Sequence, residues 1–205
     1  MAWIQMIGPD GAEGQLRDIY KEIVSARGGV ADVHRVQSLN ARALRAHLEL
    51  YRTVMFARST LSRIARERIA VVVSEGNRCA YCVAHHSEAL RQLGDDPALV
   101  ESLSRGELPV QLEPADLALL RWARTAALQP RNCSESELQS LRSVGFDDKA
   151  ILDAALTVAY FSFVNRLVLA LGVEVEKDYA STCKAVADES RKVHGPAKTR
   201  RPRRI

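Results

Sequence analysis

A chain of 205 residues, 47% of them hydrophobic, is long enough for one well-buried core and too apolar for a wholly unstructured protein. Its net charge of +4 is a property of the end: after Glu189 stand Arg191, Lys192, Lys198, Arg200, Arg201, Arg203 and Arg204 with no acidic residue, leaving 22 basic against 25 acidic residues in the body. That tail carries no aromatic or base-reading residues on a folded element, so a nucleic-acid-binding function is not expected, and the tail reads as a disordered, solvated terminus.

Helical periodicity recurs along the chain and no strand-type alternation interrupts it. Leu16, Ile19, Tyr20 and Ile23 form one apolar stripe; Leu44, Leu48, Tyr51 and Met55 form a second behind an Asn40 cap. A third helix is predicted from near Thr60, using Leu61, Ile64, Ala65, Ile69, Val72 and Val73, with Gly76-Asn77 suited to a left-handed stop. The next runs from about Cys79 to Leu93 and ends at Gly94. Asp96-Pro97 opens a short helix through Leu103, and Pro114 opens another to Leu128. Ser134 to Glu137 fits a capping box, and Asp147 caps a long apolar helix ended by Gly172. The expected class is therefore all-α, a single-domain helical bundle over residues 1–188 followed by the basic tail, 189–205.

The chemistry concentrates in Cys79-Ala80-Tyr81-Cys82-Val83-Ala84-His85-His86. Residues three, four and seven apart share a helix face, so Cys79, Cys82 and His86 align. A thiol pair at this spacing can close a disulfide, and a histidine one turn beyond can take up or return the proton that thiol chemistry releases. The third and fourth helices should form an antiparallel hairpin that brings Glu67 level with His86, where a carboxylate fixes the imidazole tautomer. The helix dipole favours a thiolate at Cys79, whereas His86 favours Cys82; the pattern leaves open which sulfur attacks. His85 points elsewhere, towards solvent or an interface.

Glu67, Cys79 twelve residues later, Cys82 and His86 resemble the Glu…Cys-x-x-Cys-x-x-x-His pattern of the alkyl hydroperoxide reductase D-like branch of the carboxymuconolactone decarboxylase superfamily. Ala159 to Arg166 resembles the Asn-Arg-containing helix of its uncharacterised peroxidase-related members. The resemblance implies an all-helical fold of that type and a homo-oligomer, a trimer or hexamer being expected. It also implies Cys82 as nucleophile, Cys79 as resolving thiol, and Glu67 with His86 as proton relay. The partners would be a hydroperoxide substrate and a dithiol reductant. One departure is Tyr81, where the best-known peroxidases have histidine: a tyrosine at the site donates a hydrogen bond but is a poor base near neutral pH.

Other readings are weaker. Three ligands on one helix, with no second Cys/His pair, do not make a zinc site, and Val83 after Cys82 breaks the haem-attachment pattern, so no cofactor or metal is expected. Cys133 and Cys183 read as small packing or surface residues. Asn165 and Arg166 read as a buried pair tying helices or subunits together. No apolar run of about 18 residues and no secretory pattern at the N-terminus stand out, so neither a membrane nor export is expected and the cytoplasm is the expected location. The functional alternatives are a lactone decarboxylase-like enzyme, which would not need both thiols, and a non-enzymatic redox sensor.

Overall fold

The computed structural model describes residues 2–109 and 112–182; Cys183, the 188 boundary and the basic tail lie outside them. The elements are α1 (Gly14–Arg27), α2 (Asp32–Arg35), α3 (Ala41–Phe56), α4 (Arg63–Gly76), α5 (Ala80–Gln92), α6 (Pro97–Ser104), α7 (Pro114–Leu128), α8 (Glu135–Ser143), α9 (Asp148–Ala170) and α10 (Tyr179–Thr182), with no strand among the described residues. Local chemistry accounts for most boundaries. Asn40, Ser62, Asp96 and Asp147 each accept a backbone N–H of the first turn, and Ser134 with Glu137 closes a reciprocal capping box. The Ser62 cap starts α4 later than the Thr60 expected from pattern alone.

Helix α4 is the centre of the molecule. Ile69 to Val73 are fully buried, enclosed by α5, α6, α7 and α9. A smaller apolar cluster joins Leu16, Ile19 and Ile23 of α1 to Leu44 and Leu48 of α3. By length and composition α9 could cross a bilayer, a feature the run-by-run reading passed over; half of its apolar window is buried within the fold, where it packs on α3, α4 and α7. The apolar stripes expected on α1 and α3 are the faces that are buried.

The turn from α4 to α5 positions the thiols and corrects one expectation. The left-handed residue is Arg78, at φ 58°, while Asn77 remains right-handed. The N–H of Arg78 donates to Glu75 O and that of Cys79 to Ser74 O, at 2.7 and 2.8 Å, a Schellman arrangement with arginine in the place glycine prefers. Cys79 thereby becomes the N-cap of α5, which starts one residue later than expected. Beyond α9, Gly172 (φ 63°) lies against the Trp3 ring, where a β-carbon would stand only 2.3 Å from a ring atom. Residues 173–178 then carry Glu176 back to α2 and α5, and α10 lays Tyr179 against His85, a return the sequence reading did not foresee.

Candidate active site

Both thiols are buried, Cys79 completely and Cys82 at 2% exposure. The Cys82 thiol donates to the Cys79 sulfur. That bond holds Cys79 down at about 7 against the opposing effect of burial, helped by the first-turn N–H groups of α5 and the Asn165 amide. The same bond, then burial, pushes Cys82 well up. Of the pair, Cys79 is thus the more acidic thiol, the choice the helix start favours, although the resemblance assigns attack to Cys82. Asn165, fully buried, also donates to Ser74 Oγ and accepts from Asn77 Nδ2, both at 3.0 Å. The expected Asn165–Arg166 pair is split, because consecutive residues on a helix face different ways. Arg166 is exposed and donates to Ser162 O of its own helix.

Glu67 and His86 meet across the hairpin. His86 Nδ1 lies 2.6 Å from Glu67 Oε2, and since an ionised carboxylate only accepts, Nδ1 carries the proton and Nε2 is left for chemistry. The other carboxylate oxygen accepts from Nε and Nη2 of Arg63, one turn earlier on α4. Burial alone would raise Glu67, but His86 and Arg63 outweigh it and hold the group at about 2. Arg63 is a site residue that sequence reasoning missed; its i,i+4 spacing from Glu67 was the available signal, identical to that of any surface ion pair. Its guanidinium also rests 3.9 Å from the Phe56 ring centroid.

Tyr81 is turned away from acid–base work. Its hydroxyl donates to Glu176 Oε1 (2.8 Å) and accepts from Val33 N (3.1 Å). His85 corrects an expectation: instead of facing solvent, it stacks on Tyr81 with centroids 4.4 Å apart and its Nε2 donates to Glu176 Oε2 at 3.0 Å. Glu176 also accepts Asp32 N at 2.6 Å, and these donors overcome burial to hold its carboxyl at about 2. One carboxylate thus ties α2, α5 and the C-terminal return together. No local pattern marks Glu176 in the sequence, because the contact spans 95 residues between Tyr81 and Glu176.

A cavity of about 50 Å³ adjoins these groups, lined by Cys82 and His86 together with Arg27, His34, Tyr51 and Tyr160. Cys79 instead lines a groove on the other side of α5, beside Glu75, Arg78 and Tyr179. Only Cys82 of the pair faces the space shared with the imidazole.

Sequence and structure comparisons converge on one group. The carboxymuconolactone decarboxylase family profile matches residues 41–125, a span that holds Glu67, Cys79, Cys82 and His86. An uncharacterized peroxidase-related protein from Silicibacter sp. TM1040 superposes with a TM-score of 0.81 at 28% identity, over 89% of this chain and 96% of its own. The segment that carries the thiols thus matches the carboxymuconolactone decarboxylase family, and the fold is of the AhpD-like type. The chain is also similar to the uncharacterized protein YdfG of Bacillus subtilis (strain 168), 25% identical over 114 residues, which are 56% of this chain and 78% of that one. A peroxidase-related protein with an AhpD core from Ralstonia eutropha JMP134 gives a TM-score of 0.81 at 23% identity, over 87% and 94% of the two chains. The debrominase Bmp8, in complex with 2,3,4-tribromopyrrole, gives 0.71 at 16%, over 91% of this chain and all of that one. These last two likenesses speak to the AhpD-like fold alone.

Proposed function

We propose that the protein is a thiol-dependent peroxidase that reduces a hydroperoxide through a Cys79–Cys82 disulfide. The observation that carries this reading is that Cys82 and His86 line one cavity, with Glu67 buried behind the imidazole and Cys79 hydrogen-bonded to Cys82.

The chemistry balances with the groups present. Moving the shared proton along the hydrogen bond to Cys79 makes Cys82 the thiolate that faces the cavity. Its sulfur attacks the terminal peroxide oxygen, the O–O bond breaks, and Cys82 becomes a sulfenic acid as the alkoxide or hydroxide departs. His86 Nε2, having taken up the proton that the thiol pair gives up on forming the thiolate, delivers it to that leaving oxygen, and the Glu67 carboxylate steadies the ring as its charge changes. The Cys79 thiol then attacks the sulfenic sulfur, closing the disulfide and releasing water. An external dithiol returns two electrons and two protons, leaving as its own disulfide. Tyr81 acts in this scheme as a positioning residue through Glu176 and exchanges no proton with substrate. The need for reduction in every cycle fits the cytoplasm, and the reading includes a homo-oligomer, trimer or hexamer.

The test is steady-state consumption of small hydroperoxides with several dithiol reductants. Wild type should turn over and accumulate the Cys79–Cys82 disulfide by mass spectrometry. Cys82→Ser should be inert, and Cys79→Ser should perform one turnover and stop at a sulfenic acid on Cys82. Absence of turnover with every dithiol, or oxidation confined to Cys133, would sink the proposal.

A further inference from the structure

Helix α5 separates two spaces that share no lining residue among those described. It gives Tyr81, Cys82, His85, His86 and Ala89 to the cavity of about 50 Å³. The groove, of about 460 Å³, takes Cys79, Ala80, Val83, Ala84, Ser87 and Arg91. Positions 80, 83, 84, 87 and 91 form one face of a helix, and 81, 82, 85, 86 and 89 form the face turned away from it, so the division follows from the register of α5. The two sulfurs of one pair therefore border different spaces.

That division bears on how a disulfide between them is reduced. Displacement at sulfur is collinear, with the incoming thiolate and the departing sulfur on opposite sides of the sulfur attacked. Attack on Cys82 would bring the reductant in through the cavity, where about 50 Å³ holds roughly four water-sized occupants. Attack on Cys79, with Cys82 departing, brings it in through the far larger groove. Cys79 is fully buried at the edge of that groove, so only a narrow thiol reaches it. Ser87 points to a ligand independently. It is 2% exposed, it lines the same groove, and its hydroxyl has no hydrogen-bond partner among the described residues, a state that buried polar groups rarely keep. It lies eight residues beyond Cys79, roughly 12 Å along the helix.

We propose that the groove is the binding site of the reductant, a narrow small-molecule thiol that attacks Cys79 and lays a polar arm along α5 to Ser87, while the peroxide meets Cys82 in the cavity. The inference rests on the peroxidase reading only for the source of the disulfide. The reductant thiolate bonds to the Cys79 sulfur, the Cys79–Cys82 bond breaks, and Cys82 leaves as a thiolate on the cavity side, where His86 can protonate it. A second reductant thiol then attacks the first reductant sulfur and frees Cys79, so that the reductant departs as its own disulfide after giving two electrons and two protons.

Diamide oxidises paired thiols without peroxide chemistry, so it prepares the Cys79–Cys82 disulfide independently of the peroxidase reading. The oxidised full-length protein is mixed with glutathione, quenched early with N-ethylmaleimide, and mapped by mass spectrometry. Glutathione should be found on Cys79 and the maleimide on Cys82; glutathione on Cys82 overturns the proposal. Ala80→Trp and Ala84→Trp, at groove positions that are not buried, should each slow reduction by about tenfold, because thiol exchange depends on access to the attacked sulfur. Reduction of both variants at the wild-type rate overturns the proposal as well. The mapping needs no substitution and so decides the matter should either variant fail to fold. Glutathione should also outpace 2-mercaptoethanol by more than it does on a peptide disulfide, and Ser87→Ala should bring that ratio down to the peptide value. A ratio that Ser87→Ala leaves unmoved overturns the polar contact. Glutathione on Cys79 in a protein that consumes no hydroperoxide overturns the peroxidase reading and supports the groove. Steady peroxide turnover with glutathione on Cys82 does the reverse, and failure of diamide to form the disulfide overturns both.

Discussion

Glu67 bears the heaviest electrostatic load in the site, since it is fully buried between a guanidinium and an imidazole. Its folded value of about 2 lies below the roughly 4.3 of an unfolded glutamate, so its contribution to stability is complete above about pH 4.5 and is lost as the pH falls towards 2. A difference of that size is on the order of 3 kcal/mol. Glu67→Gln should therefore unfold more easily at neutral pH, by about 3 kcal/mol because Arg63 loses its buried partner, and should show a flatter decline between about pH 5 and 2. Urea unfolding at stepped pH measures both. Parallel profiles for wild type and variant would show that the pair contributes nothing. Tyr81→Phe makes a contrasting case: losing the bonds to Glu176 and Val33 should lower stability by about 1–2 kcal/mol, while the chemical step at Cys82 stays within a few-fold in single-turnover assays. A collapse of that step with the fold intact would return Tyr81 to the proton relay. Glu67, Cys79, Cys82 and His86 were legible because helical spacing places them within two adjoining helices. Asn165 and Tyr160 were not legible as site residues, because α9 reaches the thiols only through tertiary packing.

Among the elements, the α4–α5 turn stores strain in a non-glycine left-handed residue next to the reactive pair. Arg78→Gly should stabilise the protein by about 1 kcal/mol while keeping the Schellman bonds to Glu75 and Ser74. Thermal unfolding checks this; a loss of stability would mean that the Arg78 side chain contributes more than its backbone angle costs. Helix ends with a polar cap were readable in advance, Asn40, Asp96, Ser134 and Asp147 among them, because capping is a contact within one turn. The connection before α4 was harder. Arg66, 4% exposed, donates to the carbonyls of Val54, Ala57 and Leu61 and so fixes the path between α3 and α4. An arginine in an amphipathic pattern reads as surface until the carbonyls that surround it are known.

At the scale of the whole molecule, α9 leaves Leu152, Leu156 and Phe163 exposed at 57%, 42% and 48%, at helical spacing along one side. A stripe of large apolar groups on the longest helix is the face on which the expected homo-oligomer would complete its burial. Light scattering should report a trimer or hexamer, and Leu152→Asp with Leu156→Asp should reduce it to monomers whose helical circular dichroism is retained. A monomeric wild type would end that expectation. Truncation at Asp188 should leave the assembly unchanged, since a segment poor in apolar residues cannot offset its ordering entropy.

The hydrogen bond between the two sulfurs has a consequence for durability. A sulfenic acid survives only until its nearest thiol reaches it, and a second oxidant molecule competes for the same sulfur to form the irreversible sulfinic acid. With Cys79 already in contact, condensation requires no helix to unravel, whereas a second oxidant must enter a cavity the first product has to vacate. In the proposed cycle, resistance to suicide inactivation is thus built into the start of α5. Progress curves should stay linear into millimolar peroxide, and Cys79→Ser should acquire the burnout that the intact pair prevents.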